Sequence, residues 1–215
     1  MLDTGTTAFM LISTMLVFLM TPALAFFYGG LARRKNVLNT MFMSIAVIGV
    51  VGVTWVAVGW SVSFGDGGSG ENPFIAGFGQ LFLNGVDLDS LWMSAGYPTF
   101  SMVAFEAAFA LITIAIITGS LAGRMKFGAI IAFVALWCAL VYAPLAHMVW
   151  DGGFIYTTIG ALDFAGGDVV HISSGVTGLV LCVLLGSRHG YGKLPVRPHN
   201  VPYVVLGAGL LWLGW

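Results

Sequence analysis

Charged residues are the scarcest class in this sequence, at 8% of 215 residues, where a soluble domain carries roughly 25%. So few charges cannot cover a globular surface of this length, which excludes an ordinary water-soluble fold. Positive charge is not in excess either. Eight basic and nine acidic residues leave a net charge of -1, so nothing points to a nucleic-acid partner. Cysteine is nearly absent, and Cys138 and Cys182 both fall inside apolar runs, where they read as small core residues rather than a disulfide. There is no phosphate-binding loop of the kind that drives pumps, no C-x-x-C pair, no H-E-x-x-H and no G-x-S-x-G. The chain therefore gives no reason to expect an enzyme, a cofactor or a metal.

Apolar residues are what it has in abundance: 59% of the total, with a mean hydropathy of +0.97. Six apolar segments stand out, at about 8–32, 40–64, 99–122, 127–150, 168–187 and 201–215. A bilayer core demands about 20 apolar residues per helix, and a helix satisfies its own backbone groups in lipid. The expected class is an all-α integral membrane protein. The first segment reads as a retained span, because Met1-Leu2-Asp3 supplies no basic region ahead of it and the apolar stretch exceeds a signal peptide's. Segment six has only about a dozen apolar residues and no polar flank. It is expected to be the start of a span that continues in a longer protein; a half-length chain that pairs with a second one is the alternative. Pro22, Pro144, Gly49 and Gly52 lie within spans and point to kinks and close helix packing.

Charge placement orients the chain. Arg33, Arg34 and Lys35 follow span one; Arg124 and Lys126 follow span three; Arg188, Lys193 and Arg197 follow span five. The other two loops carry only acids, among them Asp66, Glu71, Asp87 and Asp89, then Asp151 and Asp163. By the positive-inside rule the basic loops face the cytoplasm and the N-terminus lies outside.

A few residues do not belong in lipid. The apolar run Ile172–Gly186 has 15 residues and reaches about 22 Å at 1.5 Å per residue, short of the roughly 30 Å hydrocarbon layer. To cross, span five must draw in 168–171, which carries His171 into the membrane. An ionisable residue there is either functional or hydrogen-bonded for packing. Glu106 in span three must face protein, a partner or water, and with His171 it could form a proton path. Phe105 and Phe109 are four apart and share a helix face. At the outer end of span four, Trp150 reads either as an interfacial anchor or as a π-platform for a small cation. His147 and His171 both lie toward the outer side, so paired haem ligation, a redox role, stays open as an alternative.

Several segments resemble one family. Phe27-Tyr28-Gly29-Gly30-Leu31 with Lys35-Asn36-Val37-Leu38, Ala146-His147-Met148-Val149-Trp150 with Gly152-Gly153, Gly160-Ala161-Leu162-Asp163-Phe164-Ala165-Gly166-Gly167 leading to Val169-Val170-His171-Ile172, and Pro198-His199-Asn200 occur in order as in Amt/Mep/Rh ammonium transporters, most like the Amt branch. The resemblance implies about eleven spans built as an inverted repeat of two five-span halves. This chain would supply the first half and the start of span six. It also implies a homotrimer in the cell membrane, with one pore per subunit, that carries ammonium or ammonia.

Residue roles implied by the resemblance follow one at a time. Trp150 is the cation–π recruitment residue, Phe105 belongs to the adjoining aromatic region, and Phe109 is one of two stacked gate phenylalanines. Asp163 supports the site structurally, and His171 is the first of two pore histidines. Ammonium would be recruited, lose a proton near the gate and cross as ammonia. The second gate phenylalanine, a recruitment-site serine and the second pore histidine would all lie beyond Trp215, so this chain alone is not expected to conduct. Glu106 stands where an amide is expected and is a candidate for proton relay. Some relatives use the same module as an ammonium sensor on a signalling protein, which is the main alternative.

Overall fold

The computed structural model describes every residue except Met1, Gly70, Ser94, His189, Leu194 and Val196. Among the described residues, five helices are long and apolar enough to cross a membrane: α1 (Thr4–Leu31), α2 (Arg34–Phe64), α3 (Thr99–Leu121), α4 (Phe127–Trp150) and α5 (Gly167–Leu185). A shorter apolar helix follows, α6 (Val201–Gly214). Side-chain caps start the first and last of them. Asp3 Oδ1 accepts from the Thr6 amide at 2.8 Å, and Asn200 Oδ1 accepts from Tyr203 at 3.1 Å, each relieving an amide the helix leaves unpaired.

Helix α3 is the most enclosed, lying against α1, α2 and α5. Its residues Ala110, Ile114, Ala115 and Leu121 have no solvent exposure or almost none. Helix α6 lies along α1 because glycine lets the backbones approach. A Cβ at Gly207 would sit 2.5 Å from the Phe27 nitrogen, and one at Gly30 would sit 2.7 Å from the Asn200 carbonyl oxygen. Gly49 and Gly52, expected to mediate close packing, do not do so. At Gly49 and Gly52 a Cβ would meet nothing within 4 Å. Composition marks a small residue but not which face of the helix it occupies.

Pro22 lies inside the continuous α1. Pro144 follows a π-helical turn at Cys138–Tyr142, and a matching turn at Trp55–Gly59 interrupts α2. The two turns meet: Trp55 and Tyr142 rings are 6.0 Å apart, edge to face, and the Trp55 indole donates to the Val103 carbonyl at 3.1 Å. A π-turn re-aims every side chain that follows it. Here those are Trp60 and Phe64 on α2, and His147 and Trp150 on α4.

The basic loops gather at one end of the bundle. Arg124 donates to the Gly186 carbonyl, Arg188 donates to the Gly119 carbonyl, and Arg33, Lys35 and Arg197 border one surface hollow. At the other end the Asp3 amide donates to Gly96, and Asp66 lies beside Asp151. Cys138 and Cys182 are both free thiols.

Candidate functional site

Two cavities meet between α1, α3, α5 and α6. The first, about 370 Å³, is bordered by Phe105, Glu106, Phe109, Trp150 and Asp163. The second, about 340 Å³, is almost wholly apolar and is bordered by Leu24, Ile112, Ile116 and Leu211 together with His171. Phe109, Met20 and Trp215 border both. Phe109 thus stands in the wall between an aromatic, acid-bearing cavity and an apolar one that holds a histidine.

The aromatic residues are held edge to face. Phe105 and Phe109 lie one helical turn apart with ring centroids at 5.0 Å, and Phe109 lies 6.4 Å from Trp150. Asp163 fixes the indole from outside: its backbone carbonyl accepts from Trp150 Nε1 at 3.0 Å. The carboxylate of Asp163 accepts the amides of Gly167, Asp168 and Val169 at 2.6, 2.9 and 3.0 Å. Those are the orphan donors of the first turn of α5, where a negative charge also meets the positive end of the helix dipole. One residue therefore caps the helix carrying His171 and orients Trp150, and its carboxylate oxygens are occupied by backbone. His171 itself is exposed, with its ring 5.3 Å from that of Trp215.

A second cluster braces the site from behind, and sequence reasoning missed it. His147 has no solvent exposure. Its Nδ1 lies 3.1 Å from the Ser63 carbonyl and 3.3 Å from Asp151 Oδ2, and its Nε2 lies 2.7 Å from the Asn72 carbonyl. Both ring nitrogens face oxygen atoms of the protein. Asp151 in turn bonds Asp66. Burial pushes the Asp151 carboxyl up to about 6, against the pull of His147 and with help from Asp66. Burial also raises Asp66, but bonds from Asp151, Ser69 and Gly68 more than offset it and hold that carboxyl below its ordinary value. The i, i+4 spacing of His147 and Asp151 was the available signal; the two carbonyl partners come from distant sequence. Asp66, His147 and Asp151 lie close enough to share an ion, but the histidine has no free nitrogen to offer one. The same commitment removes the haem pairing, since His147 cannot ligate iron and His171 faces the other cavity.

Residues 8–215 match the family model described as Ammonium Transporter Family. An ammonium transporter of Aquifex aeolicus is 49% identical over 217 residues, covering all of this chain and 49% of that protein. The crystal structure of Candida albicans Mep2 superposes with a TM-score of 0.87 at 30% identity, over all of this chain and 47% of that one. A structure titled Sensor Amt Protein aligns at TM-score 0.86 and 26% identity, over 98% of this chain and 52% of that one. The chain spans about half the length of the curated relatives it matches. This all-helical, multi-pass membrane chain has half of the Amt-type arrangement, and it belongs to the ammonium transporter family.

Proposed function

We propose that this chain forms the first half of an ammonium-conducting unit, with its basic loops in the cytoplasm and its acidic end outside. The observation that carries the reading is the shared position of Phe109, between the aromatic cavity and the apolar cavity of His171. Ammonium enters the outer cavity, where the Trp150 face offers it a cation–π contact, about 0.5–2 kcal/mol depending on how dry the site is. Phe105 and Phe109 exclude water beneath it. A cation cannot pass into a cavity with so little polar lining without shedding its charge. Proton loss therefore occurs at or before Phe109, and ammonia continues past His171. Potassium has no proton to lose and is refused at the same point. Asp163 acts by holding Trp150 and the start of α5. The unit works as a homotrimer, with the pore in each subunit completed by residues outside this chain.

The test is growth on low ammonium in a strain lacking its own ammonium carriers. The full reading frame encoding this chain should rescue growth, and His171→Ala and the 215-residue chain alone should not. A second reading rests on the likeness to the sensor protein: the module binds ammonium and signals without supplying the cell. A well-expressed full frame that fails to rescue, yet quenches its tryptophan fluorescence with ammonium, would favour sensing.

A further inference from the structure

The outer cavity contains a carboxyl group with no cation beside it among the described residues. Glu106 is 7% exposed, and its Oε2 is buried with no hydrogen-bond partner among the described residues. It borders the cavity alongside Phe105, Phe109 and Trp150. The titratable groups that face it are Tyr97 ahead of α3, Tyr142 on α4 and Asp151 at the end of α4, with Asp163 on the same cavity wall. None is a base. The Tyr97 phenol is itself held above its usual range by burial and by the Glu106 charge. His147 is committed to Ser63, Asn72 and Asp151, and every lysine and arginine lies in the three loops of the opposite end. A buried carboxyl keeps its charge only beside a cation and otherwise holds its proton, so the protonation of Glu106 depends on what enters the cavity. What the arrangement lacks is a cation, and the cavity it borders is lined with π-faces.

We propose that Glu106 is the base that takes the proton from ammonium. The inference rests on the transport reading above. An N–H bond of ammonium breaks and leaves its electron pair on nitrogen, while the proton forms an O–H bond on Glu106. A cation and a carboxylate become ammonia and a carboxylic acid. Both products are neutral, so both are easier to keep in a dry site than the charges they replace. Ammonia is then free to pass Phe109. The acid resets by giving its proton to water at the outer side of the cavity.

The experiment uses protein from the full reading frame, reconstituted in liposomes, with ammonium flux measured at external pH values from 5 to 8. Glu106→Gln keeps the shape and removes the proton acceptor. Its maximal rate should fall at least tenfold, the apparent ammonium affinity should change less than the rate, and the pH dependence of the residual flux should flatten. Glu106→Asp should keep part of the rate with a displaced pH profile. An undiminished Glu106→Gln with the parental profile overturns the inference. So does a variant that is weakened only in affinity, which would make Glu106 a counter-ion. Should Glu106→Gln not fold, a parental pH profile in Glu106→Asp overturns it equally. A parent that moves no ammonium overturns the transport reading together with this one, whereas a conducting parent with an indifferent Glu106→Gln overturns this one alone.

Discussion

Replacing His147 by phenylalanine isolates what the buried cluster contributes. The ring is of similar size, so the packing loss is small, but three acceptors lose their donors: the Ser63 carbonyl at 3.1 Å, the Asn72 carbonyl at 2.7 Å and Asp151 at 3.3 Å. Each acceptor left dry costs about 1–3 kcal/mol, and a buried ion pair with one partner removed costs about 3–5 kcal/mol. The Asp151 contact is long and Asp66 can still bond that carboxyl, so the low end of each range applies. The two carbonyls and the pair sum to about 5 kcal/mol. The damage should also spread. The loop at Asn72 is fastened to the end of α4 by the Phe154 amide donating to Pro73 at 2.7 Å and by stacking of Phe74 on Phe154 at 5.9 Å. Loosening that loop frees the turn that follows Trp150. At about 2–4 °C per kcal/mol for a chain of this size, the detergent-solubilised protein should melt roughly 10–20 °C lower by tryptophan fluorescence. The same preparation should bind ammonium more weakly. A melting shift under about 2 °C would refute the argument, because three orphaned buried acceptors cannot be that inexpensive.

Three further outcomes follow from the same coordinates. Asp163→Ala leaves three amides of α5 uncapped and should cost about 2 kcal/mol, seen as lower melting; Asp163→Asn, which keeps one acceptor oxygen, should fall between it and the parent. Because Asp151 binds its proton more tightly folded than unfolded, stability should fall as pH rises from about 4 to about 6, by at most about 3 kcal/mol at 1.4 kcal/mol per pH unit; chemical unfolding of parent and Asp151→Asn should show the dependence shrinking in the variant. Gly207→Val forces branched carbon into a 2.5 Å approach to the Phe27 backbone and should detach α6 from α1, which a cysteine pair on the two helices would report as lost crosslinking.

The helices were legible because lipid leaves a coarse, strong signal: runs of apolar residues interrupted by sorted charge. Where the boundaries differ, the reason is local. Helix α2 begins at Arg34 although hydropathy begins near Thr40, since a helix continues into water on its own hydrogen bonds and the apolar signal does not. The π-turns at Trp55–Gly59 and Cys138–Tyr142 were not legible at all. One extra residue per turn changes no composition, yet it decides which way His147 and Trp150 point.

The site divides along the same line. Phe105 and Phe109 could be placed on one face from their spacing, and His171 could be placed in the membrane from the shortness of its apolar run. Nothing in the sequence could show that Phe109 borders both cavities, or that the Asp163 carbonyl holds the indole of Trp150, because those are contacts between segments far apart in the chain. Glu106 is the instructive case. Its rarity in an apolar helix marks it at once, but the mark does not separate a paired charge from an unpaired one. The absence of any cation around it among the described residues gives it a function to test. A buried acid facing Tyr97, Tyr142, Asp151 and Asp163 has no cation beside it among the described residues, and ammonium entering the cavity would supply one.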